Sequence, residues 1–228
     1  MIFNDSYCAF CNSCPMDLLD KLLKRYPDLS PCKDSILAAF DTLKVTFAQK
    51  GQLLIAGNGG SAADADHIAG ELLKGFAQKR PLSDAAQDQL GWSLAGKLQD
   101  ALPSIPLPNF TGLLTAYGND CDPDYGFAQL VWGLGRKGDA LLCLSTSGNS
   151  KNILHAADVA RSKGLKTIAL TGASGGALRD KVEVSICVPS DTVHYIQERH
   201  LPIYHTLCLW LEETFFGNTT PNEVDIFS

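Results

Sequence analysis

The sequence predicts an α/β protein: a doubly wound parallel sheet in three layers, flanked by helices, with a helical extension at the N-terminus. Three observations predict it. Short runs at 53–55, 140–144 and 167–170, apolar apart from Thr167, show no polar alternation, as strands covered on both faces do. The first two end in turns rich in Gly, Ser and Asn, GNGG at 57–60 and STSGNS at 145–150, and the third in a Gly-rich turn. Helix-period stretches follow the first two turns, and short strands alternating with helices build parallel sheets.

In chain order, Met16, Leu19, Leu22, Leu23 and Tyr26 recur at helical spacing before Pro27 and Asp28 end the segment. Ser30 and Pro31 then offer a start for a second helix, whose stripe is Ile36, Leu37, Phe40, Leu43 and Phe47. The first strand leads into a helix over 61–76, and the 140–144 strand into a helix ending near 163. A strand at 182–188 precedes a long helix over about 192–216. Pro202 lies inside that helix, removes one backbone donor and predicts a kink or local loosening. The stretch 77–111 reads as a helix near 91–101 and an edge strand around 105–107, broken by Pro103, Pro106 and Pro108. The expected division is an N-terminal arm with helices for oligomerisation over 1–50, the α/β domain over 51–217 and a tail over 218–228.

A chain of 228 residues, 45% apolar and 19% charged, can bury a core without disulfide or metal staples. A net charge of -6 argues against a nucleic-acid surface, which needs a basic patch. It leaves room for a small anionic metabolite, because backbone amides at helix ends bind phosphate on acidic proteins. No apolar run reaches membrane-spanning length, and the first residues lack a basic start followed by an apolar stretch. The expected compartment is the cytosol, with the eight cysteines reduced. Cys8, Cys11 and Cys14 are spaced CxxCxxC, with Cys32 following. That spacing can hold zinc or an iron–sulfur cluster, but free thiols are the expectation in a cytosolic terminal arm.

Chemistry is expected beyond the carboxyl ends of the strands, where ligands bind in open α/β sheets. Asn58, Gly59, Gly60 and Ser61 form the first loop. Ser145, Thr146, Ser147 and Ser150 surround the second, and hydroxyls and amides without lysine suit a phosphate monoester with no bound magnesium. Either loop alone is also what an ordinary capped turn looks like. His67 and Glu71 share a helix face at i, i+4, as metal ligands or as a surface pair. Gln197 and His205, eight residues apart, can face one cleft, or His205 can be a packed core histidine.

The strings GNGGSAADADHIAGELL, LLCLSTSGNSKNIL and IQERHLPIYH occur in this order, with YGND at 117–120. Together, over roughly 30–216, they resemble the phosphoheptose isomerases, the sedoheptulose-7-phosphate isomerases of the SIS (sugar isomerase) domain family. The resemblance implies the SIS fold and an aldose–ketose isomerase that works through an enediol, with Glu71 as base and His205 as acid. It implies a substrate site of Asn58, Gly59, Gly60, Ser61, Glu71, Asn119, Asp120, Ser145, Thr146, Ser147, Ser150 and Gln197. It also implies zinc on His67, Glu71, Gln197 and His205, and a homotetramer with active sites between subunits. Some SIS proteins instead bind a replication initiator or sense sugar phosphates without chemistry. The initiator binders lack the glutamate and final histidine that this chain keeps. Departures are Gly75 where an arginine is common, Val193-His194-Tyr195 before Gln197, Pro202, and a longer 80–110 segment. These departures leave open another sugar phosphate, such as a hexose, as substrate.

Overall fold

The computed structural model describes residues 16–217. The CxxCxxC cysteines and the 218–228 tail lie outside them. Strands β1 (Leu53–Gly57), β2 (Ser104–Pro106), β3 (Ala140–Leu144), β4 (Lys166–Thr171) and β5 (Val184–Cys187) form one parallel sheet in the order β2-β1-β3-β4-β5. Successive side chains of a strand point to opposite faces, and the burial follows that rule. Leu53, Ile55, Ala140, Leu142, Leu144, Ile168 and Leu170 face one apolar core. Leu54, Ala56, Leu141, Cys143 and Ala169 face the other. Strands apolar at every position are therefore the signature of a sheet covered on both sides.

The first core is closed by α1 (Met16–Arg25), α2 (Lys33–Ala48), α3 (Gly60–Leu73) and α9 (Val193–Phe216). The second is closed by α7 (Gly126–Leu134) and α8 (Lys151–Ser162). Phe40 of α2 stacks on Trp210 of α9 with ring centroids 3.9 Å apart and planes 9° from parallel, which locks the N-terminal helices to the sheet through α9.

Three expectations change. Pro31 does not open α2. It lies inside a 3-10 turn over Pro27–Cys32, and α2 begins at Lys33, because proline suits the tight turn that precedes a helix. The helix expected near 91–101 is two short helices, α4 (Asp84–Leu90) and α5 (Trp92–Ala95), separated by Gly91 at φ 79°. Pro202 does not interrupt α9, which runs unbroken for 24 residues, although the carbonyl of Glu198 loses its helical donor. No helix among the described residues is long and apolar enough to cross a membrane.

Cys32 is buried, and its thiol donates to the Cys187 carbonyl at 3.2 Å. Burial, with Cys187 nearby, pushes that thiol up to about 11, so it stays protonated inside the α2–β5 contact.

His200 of α9 is completely buried. Its Nε2 lies 3.4 Å from the Thr171 carbonyl, which fixes the proton on Nε2 and leaves Nδ1 without a partner. Burial lowers its pKa from 6.5 to about 4. The unfolded chain therefore binds one more proton than the native chain between these values, and stability rises with pH across that window. Full stabilisation holds above pH 6.5, and up to about 3 kcal/mol is lost on acidification toward pH 4. Urea titrations at several pH values should show this slope in the wild type and a shallower one in His200→Gln.

Candidate active site

The chain runs from β1 outward to β2 and then back to β3 on the other side of β1. That reversal makes the β1/β3 carboxyl edge the topological switch point, where open α/β sheets bind ligands. Both loops singled out in the sequence lie there. Neither α3 nor α8 has a side-chain N-cap, so no side chain competes for the amides that begin α8, whereas Ser61 and Ala62 of α3 already donate to the Asn58 and Gly59 carbonyls, each at 3.0 Å.

The loop after β3 is braced from behind. Ser145 Oγ donates to Ser150 Oγ at 3.4 Å, and Ser147 Oγ accepts the Asn149 amide at 3.1 Å. Asn149 Oδ1 accepts the Ala177 amide at 2.9 Å, and the Gly148 carbonyl accepts the Leu178 amide at 2.9 Å. Thr146 accepts the Gly172 amide through its carbonyl at 3.0 Å, which ties the loop to the turn after β4. The loops after β1 and β3 are joined by paired amides. Asn58 Nδ2 donates to Asn152 Oδ1 at 3.0 Å, and Asn152 Nδ2 returns the bond at 2.9 Å. Asn152 was not among the expected site residues. Its place in the first turn after Ser150 is the only signal the sequence carries.

Helices α3 and α9 run side by side in the same direction. A methyl at Gly60 would lie 2.6 Å from Gln197 Nε2. Two turns further along, the His67 ring lies edge-on to His205 with centroids 4.9 Å apart. His67 Nε2 is 3.3 Å from Glu71 Oε1, and Glu71 Oε2 accepts from Lys74 Nζ at 3.1 Å. The phenyl ring of Phe76 completes the enclosure at 5.3 Å from His205. His67, Glu71 and His205 are thus brought together, while Gln197 lies against the start of α3. Asn119 and Asp120 end α6 (Thr111–Asp120), where they are exposed and hydrogen-bonded to each other at 2.7 Å.

A second set of residues orients the first. Tyr204 Oη donates to Asp64 Oδ1 at 3.1 Å and lies 3.1 Å from His67 Nδ1. The phenol has a single proton, already given to Asp64, so it accepts from Nδ1–H of His67. A neutral His67 therefore presents a bare Nε2 toward Glu71. Two lone-pair groups at that distance require a proton or a cation between them. His205 adds a buried Nε2 with no partner. Its pKa is lowered, first by burial and then by His67, which favours the neutral ring. Imidazole nitrogens and a carboxylate are donors that zinc takes, so the residues fit such an ion in kind. Among the described residues, no three His, Cys, Asp or Glu side chains already form a metal-holding group. Asp64 and Tyr204 were missed in the sequence. Asp64 precedes His67 by three residues and so shares its helix face, but only the packing of α9 supplies the phenol.

The 74–80 turn explains the Gly75 departure. A Cβ at Gly75 would lie 2.1 Å from the Gln78 carbonyl oxygen, so no larger residue fits this path.

A model of the SIS domain family matches residues 21–172. The phosphoheptose isomerase of Roseiflexus sp. (strain RS-1) is 40% identical over 181 residues, which span 79% of this chain and 82% of that protein. The solved phosphoheptose isomerase of Neisseria gonorrhoeae superposes with a TM-score of 0.66 at 29% identity, covering 86% of this chain and 99% of its own. That of Francisella tularensis gives 0.66 at 31% identity, covering 86% and 98%. With the parallel sheet, the two loops at the β1/β3 switch point and the His67–Glu71–His205 cluster in place, the chain belongs to the SIS domain family and, within it, to the phosphoheptose isomerases.

Proposed function

We propose that this isomerase interconverts the ketose and aldose forms of a sugar phosphate, sedoheptulose 7-phosphate in the first instance, giving D-glycero-D-manno-heptose 7-phosphate. The single observation that carries the reading is the meeting of Glu71 and His205 around His67, on helices far apart in sequence. Ser145, Thr146, Ser147 and Ser150 hold the phosphate together with the first amides of α8. Asn58, Gly59, Gly60, Ser61, Asn119, Asp120 and Gln197 bind the sugar. Holding the phosphate away from the reacting carbons turns a collision into a positioned proton transfer. Glu71, held in place by the Lys74 ammonium, takes the proton from carbon, and His205 exchanges a proton with the sugar oxygens as the enediol forms and collapses. A zinc ion held by His67, Glu71, Gln197 and His205 would polarise the carbonyl and steady the developing oxyanion. The working form is a cytosolic homotetramer whose active sites lie between subunits.

The test is incubation with sedoheptulose 7-phosphate in deuterated water. Deuterium should enter C1 or C2 as the aldose accumulates. Exchange with a different sugar phosphate alone would move the substrate. Absence of exchange with any would favour a non-catalytic sugar-phosphate regulator.

A further inference from the structure

The structure assigns a positioning role to the buried ion pair of Arg80 and Glu212, which ties the helix bearing Glu71 to the helix bearing His205. This inference rests on the isomerase reading above. The Arg80 side chain is 0% exposed and that of Glu212 is 2% exposed, with Nε 2.7 Å from Oε1. The other arms of the guanidinium go to the end of α3. Nη1 donates to the Leu72 carbonyl at 2.7 Å, and Nη2 donates to the carbonyl of Glu71 itself at 2.9 Å. These are carbonyls that the helix end leaves without helical donors. The carboxylate of Glu212 takes the next segment, accepting the Phe76 amide at 2.8 Å and the Ala77 amide at 2.7 Å. Phe76 is the residue whose ring packs on His205. Glu212 also follows His205 by seven residues, two helical turns, and so lies on the same face of α9. The Phe216 ring covers the guanidinium, with the centroid 4.8 Å away.

One buried pair therefore holds the backbone of the proposed base, the aromatic wall of the proposed acid and the helix that carries the acid. A pair that served only the core would have no reason to spend two of its donors on the Glu71 turn. Lysine at 80 keeps the charge but loses the planar fork, so it cannot bond Glu212 and both carbonyls in the same geometry.

The experiment compares wild type with Arg80→Lys in kcat, KM and crystal structure, at a temperature where circular dichroism shows both folded. The expected result is a fall in kcat of tenfold or more with KM changed less than threefold, because phosphate binding lies on other loops. A kcat within twofold of wild type overturns the proposal. If the wild type turns over no sugar phosphate, the isomerase reading fails and the structures alone decide. Glu71 and Phe76 unmoved from His67 and His205 in the variant would then overturn the clamp, and their displacement would support it. Should Arg80→Lys fail to fold, the apolar double variant Arg80→Met with Glu212→Leu is measured in the same way, since apolar replacement of a buried pair tends to preserve stability. Failure of both to fold assigns the pair to stability alone and overturns the proposal.

Discussion

Glu71→Gln should lower turnover by about 10²–10⁴-fold while leaving sugar-phosphate affinity nearly unchanged, the range that a positioned general base supplies. Glutamine keeps the length and planarity of the side chain but cannot take a proton from carbon. Its amide would still meet His67 Nε2, which stands 3.3 Å from Glu71 Oε1, so the surrounding packing persists. The hydroxyl loop proposed for the phosphate follows a different strand, β3, and should be left unchanged. The loss corresponds to roughly 3–5 kcal/mol of transition-state stabilisation. Isotope exchange and direct substrate binding by calorimetry would check both halves. A variant that retains a tenth or more of wild-type exchange would remove Glu71 from the role of base.

Gly148→Ala should reduce kcat/KM by about 10²-fold and lower the melting temperature by roughly 5 °C or more. Gly148 adopts φ 65°, in the left-handed region that favours glycine. A methyl there would lie 2.0 Å from the Gly175 carbonyl oxygen and 2.5 Å from its carbon. Backbone cannot swing away as a flexible side chain can, so the two loops must separate. That separation breaks the Leu178–Gly148 and Ala177–Asn149 bonds that brace the hydroxyl loop. Backbone strain of this kind costs about 1–3 kcal/mol, before any lost bonds are counted. Kinetics with the sugar phosphate, inhibition by inorganic phosphate and a thermal melt would measure the effect. Unchanged values in all three would mean that the loop does not hold the phosphate.

Much of the fold was legible because its signals are local. β3 is apolar at every position and is bounded correctly from its run alone, whereas β1 and β4 extend past their expected runs by residues at their ends. The doubly covered sheet followed from that same lack of alternation. His67 and Glu71 could be paired from i, i+4 spacing, because a helix places them on one face. The region 77–111 was poorly legible for the opposite reason. Its path is set by contacts across the chain: Gln99 Oε1 accepts the amides of Gly75 and Arg80 at 3.2 and 3.3 Å, and the Arg80 carbonyl accepts the Asp100 amide at 2.7 Å. No periodicity encodes such bonds. Nothing local in the sequence marks Arg80, yet it is completely buried.

From the sequence by itself came the α/β class, the two glycine- and serine-rich loops at the strand ends and the i, i+4 pairing of His67 with Glu71, since turn chemistry and helical spacing act between near neighbours. Only the tertiary structure decided that α3 and α9 run alongside each other, that Tyr204 sets the tautomer of His67, that Asn152 locks Asn58, and that Arg80 and Glu212 meet out of water. Those are pairings over 94 to 137 residues, chosen by which apolar faces pack, and a linear reading has no term for them.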